Sequence, residues 1–160
     1  MFGRRHKQYT RPRKAYDSLR IQSENQIVKK YGLKNKREIW KADAMIATLR
    51  NQAKGLIGRD QDAQGRFIEK LKKLKFPVQT IADVLALDKE DLLKRRLQTI
   101  VFEKRLAHTP EQARQLIVHK HIMVDKSVVN IPSYLVNVEE ENKISFKLKK
   151  PVAAEEKHGN

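Results

Sequence analysis

The spacing of apolar residues along the first two thirds of this 160-residue chain predicts a series of amphipathic helices. In the clearest of them, apolar residues recur at alternating intervals of three and four, at Ile39, Ala42, Ile46, Leu49, Ala53 and Leu56. This spacing places one apolar stripe along a helix that packs on a partner. Asn35, with Glu38 three residues later, predicts an N-cap, and Gly58 predicts the end of the helix. Trp40, near the start of the stripe, is interpreted as a core anchor.

Weaker helical patterns lie on either side of this stripe. The preceding one ends at Gly32, since glycine is a typical helix terminator. The following one begins near Asp62 and is broken at Pro77, which cannot lie inside a helix without disrupting it. A short helix is predicted over residues 80–87, and Asp88 is typical of the start of another helix.

The last third of the chain predicts a smaller unit that mixes helices with strands. Its first helix has apolar residues on one side and Lys94, Arg95 and Arg96 on the other, exposed side. A second helix starts at Thr109, because Thr as the cap followed by Pro110 in the first turn is a strong helix start. Apolar alternation then predicts short strands at residues 122–124, 128–129, 134–138 and 144–148, with turns at 125–127 and 139–142.

These patterns predict an α+β fold that is divided into four parts. A basic arm occupies residues 1–15, and a helical N-terminal domain follows at residues 16–92. Residues 93–150 form a module in which two helices pack on a small antiparallel sheet. Residues 151–160 show no apolar periodicity and are interpreted as a disordered tail.

Positive charge is concentrated at the amino-terminal end. The chain has 35 Lys and Arg against 19 Asp and Glu, a net charge of +16, and residues 1–60 alone hold 16 basic and 5 acidic residues. The arm has no acid, and its basic residues are Arg4, Arg5, Lys7, Arg11, Arg13 and Lys14. We interpret it as a segment that lies along phosphates, with Tyr9 and Tyr16 available to stack on bases. A disordered solubilising tail or a basic targeting signal is the alternative.

Several classes of chemistry lack their residues. With no Cys, a disulfide scaffold, a Cys-ligated metal and a Cys nucleophile are excluded. The six Gly fit neither the phosphate loop nor the dinucleotide-binding spacing. His119 and His121, with His108 nearby, are too few for a zinc site. We therefore predict no enzyme activity, no cofactor and no metal, and no apolar segment is long enough for a transmembrane helix or a signal peptide.

The module carries the strongest local signal for binding nucleic acid. Its basic and hydrogen-bonding residues form one predicted RNA-binding face on the two helices: Arg95, Arg96, Lys104, Arg105, Arg114, Gln115, His119, Lys120 and His121. The planar Arg side chain suits phosphate because its fork bonds two oxygens at once. The alternative is an ordinary solvated helix surface, and the interspersed acids Glu103 and Glu111 keep it open.

Four segments of the module carry a resemblance to a known family. Residues 95–107, 112–117, 119–122 and 129–133 resemble the RNA-binding module named after small-subunit ribosomal protein four. Upstream, residues 31–41 (Tyr-Gly-Leu-Lys-Asn-Lys-Arg-Glu-Ile-Trp-Lys) look like the archaeal and eukaryotic branch of that ribosomal protein family. The resemblance covers about residues 5–150, and its motifs are specific in this order and length.

The resemblance implies a structural, non-catalytic component of the small ribosomal subunit in the cytoplasm. It implies binding early in assembly to a multi-helix junction in the 5′ domain of the small-subunit rRNA. The implied neighbours are small-subunit proteins three and five, near the channel through which mRNA enters, and the implied influence is on decoding accuracy. By matching positions, the residues of the predicted face from Arg96 onward contact RNA, and the arm threads rRNA helices.

This chain departs from the family pattern at three positions of the module. Glycine often stands where Arg105 and Lys120 stand, and Asn-Gly often stands where Asp125-Lys126 stands. Additional Lys and Arg should not weaken RNA binding. The replacement of Asn-Gly by Asp125-Lys126 bears on the geometry of the hairpin turn.

Two other function classes remain as alternatives. The same module occurs fused to pseudouridine synthases and tyrosyl-tRNA synthetases, but the remaining ~90 residues are too few for either catalytic domain. The other alternative is a basic helical adaptor that binds an acidic protein partner, a membrane surface or a non-ribosomal RNA.

Overall fold

The computed structural model describes residues 7–58 and 61–147. In chain order, the elements are α1 (Ser18–Tyr31), α2 (Arg37–Leu56), α3 (Gln61–Lys73), α4 (Ile81–Ala86), α5 (Lys89–Lys94), α6 (Leu97–Glu103), α7 (Pro110–Val118), β1 (Ile122–Val124), β2 (Ser127–Val128), α8 (Val138–Glu141) and β3 (Ile144–Phe146). The predicted α+β architecture, helical first and mixed afterwards, is confirmed.

The ends of α1 and α2 test the predicted caps. Gly32 ends α1 in the left-handed conformation, at φ 58°, as predicted. The predicted cap of α2 is wrong, because the helix begins only at Arg37 and no side chain caps it. The Glu38 carboxylate instead accepts the Lys34 backbone N–H, at 3.3 Å. This hydrogen bond holds the Glu38 side chain at the first turn of α2, where its carboxylate can also pair with residues from distant parts of the chain.

The single helix predicted across residues 92–105 is broken into α5 and α6. At the break, Arg96 is extended and bridges to Leu135, and the Leu97 N–H donates to the Tyr134 carbonyl at 2.7 Å. Backbone hydrogen bonds to this distant segment thus replace those that would continue the helix through Arg96. It turns Arg95 and Arg96 inward, where they are 8% and 4% exposed. The prediction that these two arginines lie on an exposed side is therefore wrong.

The start of α7 is as predicted from its sequence. The Thr109 side chain accepts the Gln112 N–H, and Pro110 occupies the first turn. Ala113 and Ile117 are fully buried one turn apart against α6. The Thr109-Pro110 pattern predicts the start of α7 correctly because a helix cap and the first turn depend only on neighbouring residues.

The module has a small antiparallel sheet in the order β2-β1-β3. Two predictions for its surroundings are wrong. The segment 134–138 is not a strand beyond the single bridge at Leu135, and the supposed loop at 139–142 contains α8, capped by Asn137. The predicted last strand is present as β3, while Leu148 lies outside the described residues.

The three departures from the family pattern coincide with left-handed backbone. Arg105, Lys120 and Asp125 have φ values of 57°, 62° and 56°. At the ends of α6 and α7, the N–H groups of Leu106 and His121 reach back to carbonyls five residues earlier, the usual glycine-type helix ending. A non-glycine residue tolerates this conformation at a cost of about 1 kcal/mol. Arg105, Lys120 and Asp125 thus form these turns here without glycine.

Two apolar cores lie on either side of the break between α5 and α6. The first extends from Ile27 to Leu93 and the second from Leu97 to Ile144. Gln98 lies between them, 1% exposed, and its side-chain amide donates to three backbone carbonyls, those of Tyr31, Gly32 and Pro110, at 2.8 to 3.1 Å. The end of α1 is thereby fixed to the start of α7. The boundary between domains at residues 92 and 93 stays a prediction.

Replacing Gln98 with Ala should lower the free energy of unfolding by about 2–3 kcal/mol, because buried carbonyls lose their donor. Urea denaturation measures this. Gln115→Ala, at an exposed position of α7, is the control and should stay within about 0.5 kcal/mol of the original protein. If both variants are equally stable, Gln98 does not hold the two cores together.

Candidate nucleic-acid interface

The arm, α2 and the module meet around an open cavity of about 1000 Å³, which we call the basic cleft. Its positively charged lining residues are Lys7, Arg37, Lys41, Arg96 and Arg114. Among the lining residues in the described ranges, Glu38 is the one carboxylate. Tyr9, Asn35, Thr48 and Ser133 add hydrogen-bonding groups. The cavity therefore presents cations from three separate parts of the chain to one volume.

Helix α2 supplies the wall of the cleft that sequence reasoning missed. Arg37 and Lys41 are exposed and lie four residues apart, so they share one face of the helix, while the Ile39 stripe faces the first core. The signal was present as a basic pair at helical spacing within the segment that carried the family resemblance. It was missed because nothing local shows that this face is opposite the module.

The arm is partly packed against this wall. Residues 7–10 line the cleft, and the Tyr9 ring lies 6.0 Å from the Trp40 ring between centroids. Trp40 in turn donates its Nε1–H to Glu24 at 3.0 Å and packs on the first core, which confirms it as an anchor. Tyr9 is thus half-buried with a ring neighbour, whereas Tyr16 is 96% exposed, and stacking of the two tyrosines on bases stays a prediction.

Most of the basic residues predicted in the arm are open to solvent. Lys7, Arg11, Arg13 and Lys14 are exposed. Arg4 and Arg5 lie outside the described residues. Within the described residues, no hydrogen bond or ion pair involves the charged groups of these four side chains. The described part of the arm thus presents unpaired cations.

Glu38 is the centre of an ion-pair cluster in the cleft. Its carboxylate accepts from Arg96 Nη2 at 2.5 Å and lies 3.1 Å from Arg114 Nη1. Burial alone would raise the pKa of Glu38, but the hydrogen bonds from the two arginines lower it overall. The carboxylate is therefore ionised near neutral pH, and it balances the buried charge of Arg96.

A second cluster holds Arg95. Its Nη2 donates to the Val136 carbonyl and to Glu141, both at 3.0 Å, and Glu141 also pairs with Lys75 of the helical part. Burial raises the pKa of Glu141, and the hydrogen bonds from Lys75 and Arg95 lower it overall. Arg95 and Arg96, both predicted to contact RNA, are thus ion-paired in the interior. Of the acids at residues 139–141, Glu141 is held in these ion pairs, whereas Glu139 is exposed.

The other residues of the predicted RNA-binding face lie in different places. Gln115, His119, Lys120, His121 and Arg105 are exposed. The rings of His119 and His121 stack with centroids 6.4 Å apart, and Lys104 is half-buried and donates to the backbone carbonyl of Glu141. Within the described residues, no hydrogen bond, ion pair or ring contact joins Arg105 to the two histidines. Of the predicted face, Arg96 and Arg114 line the basic cleft.

The described ranges hold no cluster of three or more His, Cys, Asp or Glu side chains that could bind a metal ion. None of the helices in these ranges is long and apolar enough to cross a membrane. The expected absence of a metal and of a cofactor stays a prediction.

Glu38 should make the stability of the protein depend on pH. Because its pKa is lower in the folded state than its ordinary value of 4.5, its contribution is complete above pH 4.5 and is lost as the pH falls through the folded value. Glu38→Gln should lower the free energy of unfolding by about 3 kcal/mol near pH 7 and flatten the fall of that free energy below pH 4.5. Urea denaturation over this range measures both effects.

Glu103→Gln is the control, since Glu103 is exposed and makes no ion pair with any described residue. It should leave both the stability and its pH dependence unchanged. A Glu38→Gln variant with the original pH dependence would contradict an ionised, paired carboxylate in the cleft.

Known proteins match both the module and the whole chain. The S4 domain family matches residues 95–142. Small ribosomal subunit protein uS4 of Thermoplasma acidophilum is 45% identical over 94% of this chain and 80% of its own length. The proteins of the same name from Saccharolobus islandicus and Methanococcus aeolicus are 42% and 44% identical, over 96% and 93% of this chain and 92% and 88% of theirs.

These matches confirm the resemblance that the module and residues 31–41 carry. The alignments with the uS4 proteins cover the helical part as well as the module, so the similarity is not limited to one shared domain. Identity above 40% over more than nine tenths of the chain places it in a family. The chain belongs to the uS4 family of small ribosomal subunit proteins.

Proposed function

We propose that this chain is a structural component of the small ribosomal subunit and that it binds small-subunit rRNA in the basic cleft. Membership of the uS4 family supports the ribosomal role, and the match to the S4 domain supports RNA as the ligand. A structural role requires no catalytic group, in keeping with the sequence prediction of no enzyme activity. A ribosomal role also implies the cytoplasm as its location.

The observation that carries the RNA-binding proposal is the convergence of cations around one cavity. Lys7 comes from the arm, Arg37 and Lys41 come from α2, and Arg114 comes from the module. Phosphates of a folded RNA approach from several directions, so a cleft with cations on several walls suits a junction of helices better than a single duplex. Recognition of this kind reads shape and backbone rather than base sequence.

Exposed basic groups outside the cleft extend the proposed contact. The exposed cations of the arm, Arg105, and His119, Lys120 and His121 at the end of α7 would meet further RNA backbone. His119, Lys120 and His121 carry donors that suit phosphate oxygens. Arg95 is left out, because its side chain is already paired with Glu141 in the interior.

The finer features of the proposal rest on the family resemblance. They are binding to the multi-helix junction of the 5′ domain early in assembly and contact with small-subunit proteins three and five. A position near the channel through which mRNA enters, and an influence on decoding accuracy, belong to the same proposal.

Removing the two cations that α2 contributes to the cleft, with Arg37→Ala and Lys41→Ala together, should weaken binding to the 5′ domain of small-subunit rRNA about tenfold or more. The slope of log affinity against log salt should fall by about 1.4 to 1.8, since each phosphate contact releases about 0.7 to 0.9 counterions. Salt-titrated binding measures both. The control is Lys29→Ala with Lys54→Ala, which removes the same charge from exposed positions outside the cleft.

Equal losses in the two double variants would show that net charge, and not the cleft, determines binding. The original protein should also prefer the 5′ domain RNA to an unrelated structured RNA of equal length at high salt. If both RNAs bind alike and an acidic protein competes with them, the adaptor function replaces the ribosomal proposal.

A further inference from the structure

A carboxylate is out of place in a cavity that is otherwise lined by cations. Among the described lining residues, Glu38 alone carries negative charge. We propose that Glu38 is a positioning residue, which fixes the guanidinium of Arg114 so that its free edge faces the RNA backbone, and thereby makes the cleft selective for RNA shape. This inference rests on the proposed RNA-binding function of the cleft.

The Glu38 carboxylate is held from three sides. The Lys34 backbone N–H donates to it at 3.3 Å, Arg96 Nη2 donates at 2.5 Å, and Arg114 Nη1 lies 3.1 Å from Oε1. Its side chain is 15% exposed, and that of Arg96 is 5% exposed. With a backbone donor and a buried arginine on it, the carboxylate has little freedom to move with Arg114.

Arg114 is bound along one part of its guanidinium group only. Within the described residues, its hydrogen bonds all use Nη1, toward Glu38 and toward the side-chain amide oxygen of Gln98 at 3.4 Å. The side chain is 25% exposed and lines the cleft. The edge formed by Nε and Nη2 therefore has no partner among the described residues. Because the group is planar, fixing Nη1 also fixes the direction of that edge, which is the fork that grips a phosphate.

Two simpler roles for Glu38 predict different results. If Glu38 acts only through its charge, its removal should strengthen binding of every RNA, since a repulsive group leaves a basic cleft. If it acts only as the counterion of Arg96, its removal should lower stability and leave the preference among RNAs unchanged. The positioning role predicts a loss of preference without a general loss of affinity.

The test compares two RNAs on the full chain at a temperature where thermal unfolding shows each variant to be folded. The probes are the 5′ domain of small-subunit rRNA and an unrelated structured RNA of equal length. Glu38→Gln should weaken the first about tenfold, as expected for a lost charged hydrogen bond, and leave the second unchanged or slightly tighter. The ratio of the two affinities should therefore fall about tenfold.

Glu141→Gln is the matched control. Glu141 is also a partly buried carboxylate, which pairs with Arg95 of the module and with Lys75 of the helical part, but it does not line the cleft. Its replacement removes the same charge and should leave the ratio of affinities as in the original protein. A fall in the ratio with this variant, as large as with Glu38→Gln, would overturn the positioning role.

Arg114→Lys tests the same inference without leaving Arg96 unpaired. The charge is kept but the planar fork is lost, so the ratio should fall about tenfold while the salt slope stays the same. In an Arg114→Ala background, Glu38→Gln should have no further effect on the ratio, because the residue acts through Arg114.

The inference is overturned if Glu38→Gln or Arg114→Lys keeps the original ratio, or if the effects of Glu38→Gln and Arg114→Ala multiply. Failure of the proposed function gives a different result. In that case the original protein itself shows no preference for the 5′ domain RNA.

Discussion

The fold depends on a buried polar junction between two apolar cores. Gln98 ties the end of α1 to the start of α7 through three backbone carbonyls, and Gly32 lies so close to Pro110 that an added Cβ would be 2.7 Å from its side chain. Glu38 and Glu141 then join the helical part to the module through Arg96 and Lys75. Gln98 and the Glu38–Arg96 pair are costly to separate, because each leaves an unpaired partner in a water-poor interior.

This junction also determines where the charge of the chain is used. The two arginines at the break between α5 and α6 are buried in ion pairs, and the pair of Arg96 with Glu38 joins the two parts. Among the exposed cations, Lys7, Arg37 and Lys41 line the cleft, and Arg11, Arg13 and Lys14 follow in the arm. A strongly basic chain therefore divides its arginines between internal architecture and a surface for an anionic partner. Glu38 and Arg96 of the junction also line the cleft, so the same ion pair joins the two parts and contributes to the proposed binding surface.

Local sequence patterns predicted the features that neighbouring residues determine. The stripe of α2, the glycine end of α1 and the Thr-Pro start of α7 are of this kind. The break at Arg96 was missed because it carries no Gly or Pro and is caused by pairing with Leu135. The Glu38–Arg96 pair joins residues 58 positions apart, and no local pattern reports it. The family resemblance supplied the RNA partner, but the cleft, with Arg37 and Lys41, became visible only in three dimensions.

The most direct test of the account is to map lysine accessibility by acetylation and mass spectrometry, with and without the 5′ domain of small-subunit rRNA. Lys7 and Lys41 line the cleft, whereas Lys29 and Lys54 are exposed elsewhere. The account predicts that RNA protects Lys7 and Lys41 strongly and leaves Lys29 and Lys54 reactive. Equal protection of all four lysines, or protection of Lys29 and Lys54 alone, would contradict RNA binding in the basic cleft.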